Sequence, residues 1–227
     1  MNLLYPPVCP FCGKISEEGI CSGCRAKIRP VREPRCMRCG RPLASGTEEY
    51  CFDCRRKKSY IRQGRSLWLH REPVSGALYR FKYHNRRRWG KVFAGELNKS
   101  YGEQLKKWGA EAIIPVPLHI SRRRKRGFNQ AEIIAEELSR LTGIPMRNDV
   151  LFRIRKTAPQ KDLGSDGRKK NLSGAFGVSR TWKPVENAVL IDDIYTTGST
   201  VEKAAEVLAA AGVQNVFFLT ISIGQGI

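Results

Sequence analysis

Val189-Leu190-Ile191-Asp192-Asp193-Ile194-Tyr195-Thr196-Thr197-Gly198-Ser199-Thr200 is the stretch whose reading decides the fold. The apolar run over residues 188–191 reads as a fully buried strand, and it breaks off at two adjacent carboxylates that are costly in a core unless they face a ligand or a cation. The strand therefore ends at a site. Hydroxyl residues around one glycine come next, then a helix over residues 200–211 closed by Gly212. Amides at a helix N-terminus attract an anion, Gly198 lets the backbone approach a phosphate, and Thr196, Thr197, Ser199 and Thr200 add donors. Asp192 and Asp193 repel that same phosphate, so they are expected to meet sugar hydroxyls or a divalent cation beside it. Together these groups describe a sugar phosphate.

Working outward, the 227 residues are enough for a main domain with a small one attached. No stretch approaches the length of a membrane helix, and the opening Met1-Asn2-Leu3-Leu4-Tyr5-Pro6-Pro7 is short and uncharged, unlike a secretory signal. A cytoplasmic protein with reduced thiols is expected. The formal charge is +20, and two zinc ions bound by eight thiolates would bring it to about +16. Such a surface suits nucleic acid or phosphorylated metabolites.

All eight cysteines stand in the first quarter of the chain as C-x-x-C pairs: Cys9/Cys12, Cys21/Cys24, Cys36/Cys39 and Cys51/Cys54. Thiolates two residues apart grip one tetrahedral ion and a second pair completes its shell, so the spacing points to structural zinc rather than to disulfides or a redox motif. Cys12 and Cys39 are each followed by glycine, Cys24 and Cys54 each by arginine. That repeat predicts sequential sites, Cys9/Cys12/Cys21/Cys24 and Cys36/Cys39/Cys51/Cys54, over an interleaved cross-brace. Modules this short cannot bury a core alone, so the metal is expected to supply their fold.

Residues 60–108 read as a bridging region with a short strand over 66–70. Within it Tyr79, Phe81, Tyr83 and Trp89 alternate with Arg80, Lys82, Arg86, Arg87 and Arg88. Two readings stay open: a single-stranded nucleic-acid groove, or a helix with its aromatics in the core and its charges solvated. A second buried strand, Ala112-Ile113-Ile114-Pro115-Val116-Pro117, leads into a basic loop, Ser121-Arg122-Arg123-Arg124-Lys125-Arg126, suited to a highly charged anion. Gly127-Phe128-Asn129-Gln130 then opens an amphipathic helix to Leu141 that ends at Gly143. Residues 153–173 read as a functional mobile loop, and residues 213–221 as a last strand. His70, His84 and His119 read as surface or packing residues.

The acidic pair and the Thr-Thr-Gly loop resemble the phosphoribosyl pyrophosphate (PRPP) motif of type I phosphoribosyltransferases. The resemblance implies that Asp192 and Asp193 hold the ribose hydroxyls and act in catalysis, that Thr196, Thr197, Gly198, Ser199 and Thr200 take the 5′-phosphate, and that Arg122 and Arg126 meet the pyrophosphate, with magnesium accompanying PRPP. It also implies that the 153–173 loop closes over the ligand, with Lys156 or Arg168 near the leaving group. The Pro-x-Pro, the arginine cluster, Gly-Phe-Asn-Gln and the cysteine-rich extension resemble the ComF (ComFC) family, as do Thr157-Ala158-Pro159-Gln160, Leu163, Arg168, Asn171 and Ala175-Phe176. That family is linked to natural competence and DNA uptake. The expected architecture is therefore α/β: a double zinc ribbon over 1–59, a bridging or hood region over 60–108, and over 109–227 a phosphoribosyltransferase-like, mainly parallel sheet flanked by helices. Two functions follow from the resemblance. One is DNA handling in transformation, with single-stranded DNA and uptake proteins as partners; the other is active transfer of phosphoribose to an unidentified acceptor.

Overall fold

The computed structural model describes residues 6–155 and 174–224. Its central sheet has four parallel strands in the spatial order β1 (Ile61–Leu69), β6 (Asn215–Ile223), β5 (Asn187–Tyr195) and β2 (Ala112–Pro115). Alternation along a strand sends neighbouring side chains to opposite faces, and a strand covered on both sides is apolar throughout. In β5, Val189 and Ile191 pack on one side with Phe81 of α3 (Val74–Tyr83), Phe93 of α4 (Trp89–Lys107) and Ile134 of α6 (Gln130–Thr142). Ala188 and Leu190 pack on the other with Val201, Ala204 and Leu208 of α7 (Ser199–Ala210) and with a small antiparallel hairpin of β3 (Leu151–Arg153) and β4 (Phe176–Val178).

The cysteine modules are parts of these same two layers. Cys9, Phe11, Ile20 and Cys24 belong to the α3/α4 side, and Cys36, Cys39, Cys51 and Cys54 to the α7 side. Each module carries a single helical turn, α1 (Ser22–Arg25) or α2 (Phe52–Arg55), that begins directly after a cysteine. The link between the modules runs antiparallel along β1, where the Val31 amide donates to the Leu67 carbonyl at 3.0 Å and the Leu69 amide to the Arg29 carbonyl at 2.9 Å. This covers a sheet edge whose backbone groups would otherwise need water. The shared core therefore supports the modules in addition to their clustered cysteines.

Several elements differ from their sequence reading. Strand β1 begins at Ile61 and not at residue 66, so the bridging stretch supplies an edge of the central sheet. Gln63 within it is satisfied by distant chain: its side-chain amide donates to the Met37 carbonyl and its oxygen accepts from the Trp108 indole. The basic loop is helix α5 (Ile120–Arg126), because arginine and lysine are good helix formers and His119 caps it by accepting the Ser121 amide. Strand β5 continues through the acidic pair to Tyr195, since Thr220 and Ser222 of β6 extend the ladder beside it. The closing loop is expected from residue 153, but Arg153 ends β3; residues 156–173, with Lys156 and Arg168, lie outside the described residues.

Candidate functional site

A cleft of about 660 Å³ opens at the carboxyl ends of β2 and β5. One wall comes from the β5–α7 turn. Asp192, Asp193, Thr196 and Thr200 line the cleft, while Thr196, Gly198, Ser199 and Thr200 also border a niche of about 20 Å³ behind it. Gly198 has φ 77°, a left-handed conformation that glycine adopts without strain, and as N-cap of α7 it offers no side chain to the helix amides. Thr197 and Ser199 bond each other through their hydroxyls at 2.8 Å.

The cleft is also lined by cations. Arg122 and Arg126 come from α5, Lys125 stands beside them, and Arg153 reaches in from β3. Burial, then the charge of Arg126, lowers the Arg122 pKa; burial, then Arg122, lowers that of Arg153 to about 10. These cations disfavour one another, and the charge of Asp192 partly offsets the effect at Arg153. Arg126 also donates to the Gln130 side-chain oxygen at 3.2 Å and to the Tyr83 hydroxyl at 3.1 Å, with its guanidinium over the Tyr83 ring. Asn129 ties β2 to α6: its side chain caps the Ala131 amide and donates to the Val116 carbonyl.

The two carboxylates differ. Asp193 pairs with Lys82 of α3 at 2.8 Å, both side chains being largely buried. Asp192 accepts the Asp193 amide at 2.8 Å, and burial, reinforced by the charge of Asp193, pushes its pKa up to about 7. His70 lines the same cleft and bonds Ser222 at 2.9 Å, while burial and then the charge of Lys82 lower its pKa. The structure thus brings Asp192, Asp193, Thr196, Thr200, Arg122 and Arg126 around one cleft, with Thr197, Gly198 and Ser199 in the adjoining turn. Sequence reasoning did not place Lys82, Gln130 or His70 there, and it had Arg153 only as the first residue of the closing loop and not as part of a strand. Only proximity in space marks them, and no local pattern signals it.

The aromatic and basic stretch divides between its two readings. Phe81 and Trp89 are buried in the core, whereas Tyr79 and Tyr83 are 60% and 49% exposed, with ring centroids 4.9 Å apart. Arg86, Arg87 and Arg88 are exposed beyond them.

The cysteines gather as the sequential pairing predicts: Cys9/Cys12/Cys21/Cys24 and Cys36/Cys39/Cys51/Cys54, the ligand atoms of each set lying within 4.8 Å of one another. The crowding polarises the thiols. Hydrogen bonds with Cys39 lead in lowering the Cys36 pKa, and hydrogen bonds with Cys36 lead in raising that of Cys39. A tetrahedral cation satisfies all four sulfurs at once, so the donor set fits zinc. Elemental analysis of metal-replete protein is expected to return two zinc ions per chain, and stripping them should lower thermal stability because Phe11 and Ile20 lose their anchorage in the core. Replete protein without zinc would contradict this.

Residues 1–55 match the family model of a double zinc ribbon domain. Among solved structures, an adenine phosphoribosyltransferase overlaps 64% of this chain and 75% of its own, with a TM-score of 0.37 and 14% identity. Among the described residues no helix is long and apolar enough to cross a membrane. The DNA utilization protein YhgH of Salmonella typhimurium is 31% identical over 226 residues, covering 94% of this chain and 96% of its own. Competence protein F of Haemophilus influenzae is 33% identical over 209 residues, 89% of each chain, and on that relation the chain belongs to the competence protein F (ComF) family.

Proposed function

We propose that the cleft binds PRPP or a closely related phosphoribose ligand, and that the protein couples this pocket to the handling of single-stranded DNA in natural transformation. One observation carries the reading: strand β5 delivers two carboxylates to the lip of a cleft that is also lined by arginines and by the start of a helix with glycine at its N-cap. In this reading Asp192 and Asp193 meet the ribose hydroxyls, the residues from Thr196 to Thr200 hold the 5′-phosphate, and Arg122 and Arg126 face the pyrophosphate. Lys82 already neutralises Asp193, so magnesium would travel with the ligand phosphates and not in a protein cage. The exposed Tyr79 and Tyr83, with Arg86, Arg87 and Arg88 close in sequence, suit the faces of bases and the phosphates of a strand. DNA-uptake proteins are natural partners for such a surface.

A second reading, active transfer of phosphoribose, is favoured by Asp192, whose pKa of about 7 suits proton transfer at neutral pH. The bond from the ribose carbon to pyrophosphate would break with its electron pair leaving on pyrophosphate. An acceptor nucleophile would bond to that carbon and give up its proton to the ionised Asp192 carboxylate. Arg122 and Arg126 would stabilise the departing charge.

Titration with PRPP by calorimetry, with and without magnesium, tests the pocket. Saturable binding is expected, weakened by about 100-fold in the Asp192→Asn/Asp193→Asn double variant, on the order of 3 kcal/mol for two charge-assisted contacts. Heat-free titrations in both conditions would remove the reading. Affinity for single-stranded oligonucleotides should fall steeply with salt, and indifference to salt would count against the DNA role. Product assays with a panel of bases separate turnover from binding.

A further inference from the structure

We infer that the second cysteine module sets the shape of the phosphate turn through Arg41, a relay from the Cys36/Cys39/Cys51/Cys54 site to Thr196. Arg41 is 8% exposed and bonds in two directions. One terminal nitrogen donates to the Asp53 carboxylate at 2.9 Å, and the other donates to the Thr196 carbonyl at 3.0 Å, 155 residues away. Asp53 stands on α2, between the ligands Cys51 and Cys54. A one-turn helix does not hold itself, so ligation of its flanking cysteines fixes Asp53, and Asp53 fixes Arg41.

The consequence reaches the turn through the geometry of one peptide bond. In a planar trans peptide the carbonyl and the following N–H point in opposite directions. With the Thr196 oxygen held by Arg41, the Thr197 N–H must point away from the cysteine module. Were this peptide free to rotate, its oxygen would turn toward an incoming phosphate and repel it. The guanidinium also places a positive charge behind the turn. A second strap grips the other end: Glu202, in the first turn of α7, accepts the Ser59 hydroxyl at 2.7 Å and the Tyr60 amide at 2.6 Å. Both holds come from the second module or the segment just after it. Arg41 is thus a positioning residue, and the metal site beside it is part of the ligand-binding apparatus.

The effect on affinity rests on the phosphoribose reading; the effect on the turn does not. Hydrogen–deuterium exchange on the zinc-loaded full chain reads the turn directly, in a peptide covering residues 194–201. Arg41→Met is expected to speed exchange there by about tenfold or more, with β6 unchanged and two zinc ions retained. Arg41→Lys keeps the charge but not the two-ended bridge, so it should restore little of the protection. If it restores nearly all, charge alone explains the effect and the relay is overturned. Asp53→Asn, which leaves every ligand and Arg41 itself in place, should loosen the turn less than Arg41→Met and carries the test if that variant misfolds. Unchanged exchange in zinc-loaded Arg41→Met, or in Asp53→Asn where Arg41→Met does not fold, would overturn the relay. In calorimetry the same variants should weaken PRPP by about tenfold. If wild-type protein binds no PRPP, the phosphoribose reading falls while the exchange data still decide the relay.

Discussion

Gly64→Val is expected to cost about 3 to 4 kcal/mol and to lower the melting temperature by roughly 10 °C. Gly64 of β1 is paired with Phe218 of β6, and a Cβ at position 64 would fall inside the van der Waals envelope of that ring. Phe218 has nowhere to go. It is fully buried, and Tyr195 stacks on it with centroids 4.8 Å apart and planes within 3°. Tyr195 in turn lies against Gly198, so a displaced Phe218 pushes on the phosphate turn. Thermal unfolding of the variant should therefore show both lower stability and, where it still folds, weaker ligand binding. Gly95→Ala is the control: Gly95 is inside helix α4 with nothing within 4 Å of where a methyl group would stand, and alanine there should add about 0.5 to 1 kcal/mol. Equal behaviour of the two variants would show that close packing at Gly64 does not decide this edge.

Gly64 also marks where sequence reasoning stops. The strand around it reads as one only over residues 66–70, because Arg62, Gln63 and Arg65 interrupt the apolar run. Those residues meet chain that no local pattern places there, as the Gln63 contacts to Met37 and Trp108 show. By contrast, the cysteine pairing is legible, because repeats two residues apart with the same flanking residues encode a local ring of ligands. The strand, acidic pair, turn and helix are legible because they are contiguous, although β5 runs four residues beyond its expected end. The basic segment reads as a loop because its like charges suggest an open anion site. Its strong helix formers, a histidine cap and a left-handed Gly127 make it α5 instead. The contacts that complete the cleft, Lys82 with Asp193 and Arg41 with Thr196, join distant positions, and only the assembled sheet brings them together.

Asp192→Asn is expected to raise stability at pH 8 by about 2 kcal/mol while removing most PRPP affinity. In the folded chain, burial and then the charge of Asp193 hold the Asp192 pKa up at about 7. In the unfolded chain the same carboxyl titrates near its ordinary value, about 3.9. Between these values the folded state carries a proton that the unfolded state lacks, so wild-type stability should fall as pH rises from about 4 through about 7. The full shift would correspond to about 4 kcal/mol, and water in the open cleft reduces that to about 2. Asparagine keeps the shape and can still accept the Asp193 amide, but carries no charge at any pH. The difference between variant and wild type should therefore be small at pH 5 and largest above pH 7, which denaturant unfolding at several pH values measures directly. Ligand binding should follow the opposite course. Magnesium and ribose hydroxyls favour the ionised carboxylate, so wild-type PRPP affinity should grow by about tenfold between pH 6 and pH 8, and the growth should vanish in the variant. A flat wild-type profile together with a stabilised variant would mean that Asp192 is buried at a cost in stability without touching the ligand, and Asp193 would then have to carry the sugar alone against the pull of Lys82.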